Sequence, residues 1–116
     1  MAHAEEQVRE LAALFPDVQQ ADEGGVTFYM IPAHRLPEGC TPGEVDLLLC
    51  PAARDGYPSR LYFSAQVQSG TVLNWNAVHH ILGRRWYAVS WRTREGLRLA
   101  QMVSAHLDAV RPRRAA

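Results

Sequence analysis

The spacing of apolar residues divides the chain into two helical ends and a strand-rich middle. Val8, Leu11, Phe15 and Val18 recur at three- and four-residue intervals while Glu5, Glu6, Arg9 and Glu10 take the other faces, which predicts an amphipathic helix over residues 3–15. Pro16 cannot continue it and pushes Phe15 out of the α region, so the helix is expected to stop near Leu14. Short strands come next. Residues 17–21 lead into Asp22-Glu23-Gly24-Gly25, where the glycines supply positive φ, and residues 26–31 (VTFYMI) are β-branched and aromatic up to Pro32. Residues 45–50 (VDLLLC) suit a central strand, with Asp46 facing a solvent edge or a partner. In residues 60–67, Leu61, Phe63, Ala65 and Val67 alternate with Arg60, Tyr62, Ser64 and Gln66, the period of a half-buried strand.

Residues 68–84 are apolar but broken by Gly70, Asn74, Asn76 and Gly83, which predicts an ordered, irregular segment with a short helical turn. Residues 85–92 (RWYAVSWR) read as a strand or as an extended packed segment. Leu99, Val103, His106, Leu107 and Val110 share one stripe, with Met102 beside them, so a helix is expected over 97–110, ended by Pro112 and a frayed basic tail over 112–116. The order predicts an α+β fold: helix, four-stranded antiparallel meander, irregular segment, helix. With no repeat or linker, residues 1–116 are expected to form one domain.

Composition narrows the class. At 47% hydrophobic and 21% charged, the chain is of ordinary globular make-up. No apolar run approaches the roughly 20 residues of a membrane helix. The acidic start, Met1-Ala2-His3-Ala4-Glu5-Glu6, lacks the pattern of a signal peptide, so the cytoplasm is the expected compartment. Cys40 and Cys50 are read as free thiols, a bridge between them being the alternative. Net charge is zero but uneven: residues 1–58 carry three arginines against ten carboxylates, and residues 59–116 carry nine arginines against two. Either the halves interleave into a mixed surface, or an arginine-rich face meets an acidic partner. All twelve basic residues are arginine, so no lysine ε-amino group is offered to an acyl donor. Gly24-Gly25 has neither the spacing nor the following helix of a phosphate loop.

One stretch carries a family resemblance. The strand at 45–50, Pro51, then Gly56-Tyr57-Pro58 and the aromatic Leu61-Tyr62-Phe63 resemble the ubiquitin-conjugating (UBC) pattern of strand, proline, Tyr-Pro turn and aromatic strand. Gly83-Arg84-Arg85-Trp86 with Ser90-Trp91 is similar to the prokaryotic "family E" members, whose operons also encode activating-enzyme-like and ubiquitin-like proteins. The resemblance spans roughly residues 5–110 and implies a UBC-like fold. It also implies those two partners, in a bacterial conjugation pathway with a possible place in phage defence. The departure lies at the centre of the chemistry. Residues 68–92 hold no cysteine and no His-Pro-Asn; Trp75-Asn76 and His79-His80 stand there instead. Neither Cys40 nor Cys50 falls where the family keeps its nucleophile, so thioester chemistry does not carry over.

Candidate chemistry is therefore sought in other residues. Ser90, with His79 or His80 as its base, would form an oxyester in place of the thioester; the plain alternative is a serine alternating with Val89 and Trp91 in a packed strand. Trp75, Trp86 and Trp91 with Arg84, Arg85 and Arg92 form either a protein-docking patch or a core with arginines reaching outward. The same mixture suits single-stranded nucleic acid, but zero net charge and the absence of lysine argue against it. Zinc on Cys40, Cys50 and the histidines lacks any ligand spacing, and no metal or cofactor is expected. Two functions remain: a UBC-like conjugation component that works without a cysteine, and a non-catalytic adaptor of the same pathway.

Overall fold

The computed structural model describes residues 4–111. Helix α1 (Glu5–Leu14) ends where Pro16 requires: Phe15 leaves the helix at φ −130° while its amide still bonds the Leu11 carbonyl at 2.9 Å. The expected first residue of this helix, His3, and the tail from Pro112 onward lie outside the described residues. Leu11 is fully buried and points α1 at the sheet. Helix α2 (Leu99–Leu107) continues as a 3-10 turn over Asp108–Val110. Its start is tied to α1: the Leu99 amide donates to Gln7 Oε1 at 3.1 Å, and Arg98 makes two 2.8 Å bonds to the Glu10 carboxylate. That pairing pulls the Glu10 carboxyl below its ordinary range.

The middle of the chain is one antiparallel sheet of β1 (Gln19–Glu23), β2 (Val26–Arg35), β3 (Glu44–Cys50), β4 (Arg60–Phe63), β5 (Trp75–Ile81) and β6 (Arg84–Val89), in the order β1-β2-β3-β4-β6-β5. This corrects the expected UBC-like architecture. The first four strands run as consecutive neighbours, but the sheet does not stop there. Residues 75–89, expected as an irregular segment and a possible strand, form a hairpin that extends the sheet to six. Gly83 reads as a breaker in the sequence. In the fold it is the second residue of a two-residue turn, with Leu82 at φ 53° and Gly83 at φ 78°, the left-handed pair that matches strand twist. Within residues 68–92, where the UBC family keeps its active-site segment, Trp75–Ile81 and Arg84–Val89 are therefore sheet.

Both faces of this sheet are buried, which is why β3 is apolar without alternation. Leu47 and Leu49 face the helices in a cluster with Leu11, Tyr29, Phe63 and Val103, while Leu48 and Cys50 join Phe28, Tyr62, Ile81 and Trp86 on the other side. The second cluster needs a cover, and the β5–β6 hairpin supplies its outer wall. It meets β4 at a single registered pair, Phe63 with Tyr87, and its turn reaches β1, where the Leu82 amide donates to the Glu23 carboxylate oxygens at 3.1 and 3.2 Å. Cys40 belongs to the first cluster and Cys50 to the second, so the two stay separate as free thiols, and burial pushes both thiol pKa values up. Asp46 is neither at a bare edge nor unpartnered: it accepts the Ala33 amide at 2.8 Å and pairs with Arg84 at 3.0 Å. That pair, Arg98 with Glu10, and Arg60 with Asp55 join the acidic half of the chain to the basic half. Among the described residues no helix is long and apolar enough to cross a membrane.

Candidate functional site

The turn between β3 and β4 builds the most connected polar cluster. Arg54 and Tyr57 exchange backbone hydrogen bonds at 2.9 Å around Asp55 (φ 54°) and Gly56 (φ 84°), a left-handed turn that an Asp-Gly pair tolerates. The turn sets Asp55 and Tyr57 beside β5. Arg60, the first residue of β4, is only 3% exposed. Its guanidinium donates to Asp55 Oδ2 at 3.2 Å, Asn76 Oδ1 at 2.7 Å and the Val89 carbonyl at 2.9 Å. A buried cation needs this many acceptors, and here they tie the turn, β4, β5 and the end of β6 into one network.

Tyr57 completes it. Its hydroxyl accepts from Asn76 Nδ2 at 3.1 Å and shares a 3.0 Å hydrogen bond with Ser90 Oγ. The Arg60 and Arg92 guanidinium carbons lie 4.2 and 5.0 Å from the centre of its ring. Hydrogen bonds from Ser90 and Asn76, then the charges of the two arginines, hold the phenol below its ordinary pKa. At the far end, His79 Nε2–H donates to Asp55 Oδ2 at 3.1 Å, and its ring meets Tyr62 edge-on with centroids 5.7 Å apart. Between the turn and β5 lies an open recess of about 450 Å³, lined by Asp55, Tyr57, Arg60, Asn76, Val78 and His79. Beneath it, burial raises the Tyr62 phenol to about 12, and its hydroxyl has no hydrogen-bond partner among the described residues.

Of the residues singled out in the sequence, the structure gathers Tyr57, Ser90, Arg92 and His79 around this network, and Pro58 leads the chain out of the turn. The expected serine–imidazole pair does not form. Ser90 is exposed and bonded to Tyr57; His79 is engaged by Asp55; His80 is exposed beside Arg85 in the hairpin register. The tryptophans do not make one patch either. Trp86 is buried with its indole on the Ile81 carbonyl, Trp75 packs on Phe63, and half-buried Trp91 donates to the Ala105 carbonyl of α2 at 2.9 Å. Arg84 lies over Trp86 and pairs with Asp46, leaving Arg85 and Arg92 exposed.

Sequence reasoning missed Arg60, Asp55 and Asn76. An arginine on the polar side of an alternating strand looks solvated, and only the Asp-Gly turn five residues earlier hints that it has a counterion. It also missed what His106 does. This histidine, 5% exposed on the apolar stripe of α2, shares a 2.9 Å hydrogen bond through Nε2 with Ser59 Oγ, itself 2% exposed. Burial, then the Arg60 charge, lower its pKa from 6.5 to about 4, against the Ser59 bond. Sealed from solvent, this pair fastens α2 to β4 and offers no access to a substrate.

Chemically, the exposed corner of the network presents a hydroxyl pair and one guanidinium, Arg92, for which no carboxylate partner is seen among the described residues. Among the described residues no group of three or more His, Cys, Asp or Glu side chains is placed to hold a metal ion. Comparisons of the chain with family models, with curated proteins and with solved structures return no match.

Proposed function

We propose that this chain is a non-catalytic protein-docking module whose contact surface is the Tyr57–Ser90–Arg92 corner. The observation that carries this reading is Arg92: an exposed guanidinium stacked 5.0 Å from the Tyr57 ring centre, with no carboxylate partner of its own among the described residues. Stacking on an aromatic ring restricts such a side chain before binding, which lowers the entropy lost when it meets a carboxylate or carbonyl of another protein. The buried Arg60 network holds Tyr57 from behind. Arginine and tyrosine are, with tryptophan, the side chains enriched among those that dominate protein contacts.

The activating-enzyme-like and ubiquitin-like proteins rest on the sequence resemblance and are the first partners to try; the cytoplasm belongs to the same proposal. The test is a photo-crosslinking amino acid at Ala53, in the exposed part of the same turn, introduced into cells that carry the chain natively. Docking predicts one discrete protein adduct, lost in Arg92→Glu. A pattern of adducts unchanged by Arg92→Glu would remove the corner from consideration.

One contact favours a second, catalytic reading. Tyr57, not a histidine, touches Ser90 and has a lowered pKa, which supports it as the base that takes the Ser90 proton while Oγ attacks an activated acyl carbon and displaces its activating group. Incubation with the activating-enzyme-like protein, ATP and the ubiquitin-like protein separates the two. A hydroxylamine-sensitive adduct abolished by Ser90→Ala supports chemistry, and a stable complex without one supports docking.

A further inference from the structure

The two outer strands of the sheet are built differently. β1 reads Gln-Gln-Ala-Asp-Glu and carries two carboxylates, the usual guard against unwanted pairing. β5 reads Trp-Asn-Ala-Val-His-His-Ile, with no carboxylate, lysine, arginine or proline, and Val78 at its centre is 56% exposed. Its only irregularity is the register shift between Trp75 and Ala77. The two-residue turn makes Ile81 and Arg84 the first hydrogen-bonded pair of the hairpin. By alternation His79 also turns its backbone N–H and C=O to β6, whereas Val78 and His80 turn theirs outward. The 54–57 turn reaches this strand through side chains, Tyr57 to Asn76 and Asp55 to His79, and among the described residues no hydrogen bond is seen to the outward backbone groups of Val78 and His80.

We infer that the β5 edge pairs with β5 of a second copy of this chain, antiparallel, about a two-fold axis through Val78. The strand is its own complement. With Val78 opposite Val78, the two outward amides and carbonyls exchange hydrogen bonds, and the side chains of these half-exposed valines meet on the outer face. Each Ala77 then lies opposite the second copy's His79, each His80 opposite its Asn76, and each Trp75 opposite its Ile81. No carboxylate or arginine opposes another, because β5 holds none. Guarded β1 offers no such uncharged strand. The pairing is isologous, so it closes at two copies and leaves no uncharged edge over. The pairing uses residues 75–81 and the docking corner uses Tyr57, Ser90 and Arg92; they adjoin at Asn76, whose amide donates to the Tyr57 hydroxyl, and the Val78 variants test the first while Arg92→Glu tests the second.

The test is sedimentation equilibrium of the full chain from about 1 μM to a few hundred micromolar, a range that brackets a weak to moderate dimer. The expected mass rises from 13.0 kDa to twice that value. Val78→Lys places two like charges on the axis and is expected to weaken the dimer by about 100-fold or more, as is Val78→Glu. An equimolar mixture of the two variants is expected to recover a heterodimer, which only pairing through position 78 provides. Hydrogen exchange of the unmodified chain supplies a readout that needs no variant: the Val78 and His80 amides should slow as concentration rises. A monomer across the whole range, a Val78→Lys dimer as tight as the original, a mixture that stays monomeric, or exchange at Val78 and His80 independent of concentration would each overturn the inference.

Discussion

His106 gives the most quantitative prediction of the fold. An imidazole 5% exposed, bonded to Ser59 and close to the Arg60 charge, must stay neutral in the folded chain, whereas in the unfolded chain it titrates normally. Its folded pKa is therefore depressed, from 6.5 to about 4. Between those values the unfolded state binds the proton and the folded state does not, so stability falls as pH drops through that window and levels off below it. At 1.36 kcal/mol per pKa unit, the loss approaches about 3 kcal/mol, a little under half of it already present near pH 5.5. For a domain stabilised by roughly 5–15 kcal/mol, that is a large share. Urea unfolding at a series of pH values measures it in the original chain and in His106→Gln, whose amide can still bond Ser59 but does not titrate. The variant should show a pH dependence flatter by about 3 kcal/mol between pH 7.5 and 4. His34, also depressed by burial, and Glu10, depressed by Arg98, contribute equally to both proteins and drop out of the comparison. Parallel loss of stability in the two proteins would refute the burial argument.

Arg60→Ala should cost about 3 kcal/mol in chemical denaturation, because it strips Asn76, the Val89 carbonyl and Asp55 of one shared donor. Gly83→Ala forces a side chain into the left-handed region at φ 78° and should cost about 1–2 kcal/mol by the same measurement. Cys50→Ala, in the second cluster, should cost roughly 1 kcal/mol of stability and leave binding at the Tyr57–Ser90–Arg92 corner unchanged in a titration.

Local signals were legible in the sequence, and long-range ones were not. The end of α1 at Leu14 comes from Pro16 alone, and the stripe from Leu99 to Val110 locates α2 and its 3-10 extension. The β5–β6 hairpin was not legible because Leu82 and Gly83 hide a two-residue turn behind a residue that rarely adopts positive φ. Leu82 is held there by a long-range bond to Glu23, which no local pattern records. The site divides in the same way. Tyr57 and Ser90 stand out by residue type, and 33 positions of separation conceal that they bond each other rather than a histidine. Arg60 reads as solvent-facing because strand alternation cannot distinguish a wet face from one covered by a returning hairpin. The UBC resemblance shares that weakness, since its short motifs at 45–63 and 83–91 match residue types and do not record that residues 75–89 pair as a hairpin.

The central claim is that the Tyr57–Ser90–Arg92 corner binds and does not react. The most direct measurement titrates the partner captured from Ala53 into the original chain, Ser90→Ala and Arg92→Ala side by side. Docking predicts that Arg92→Ala weakens binding by about 30-fold, near 2 kcal/mol, while Ser90→Ala stays within a few-fold of the original chain in binding and in any associated activity. Unchanged binding in Arg92→Ala, together with an activity abolished by Ser90→Ala, would contradict it.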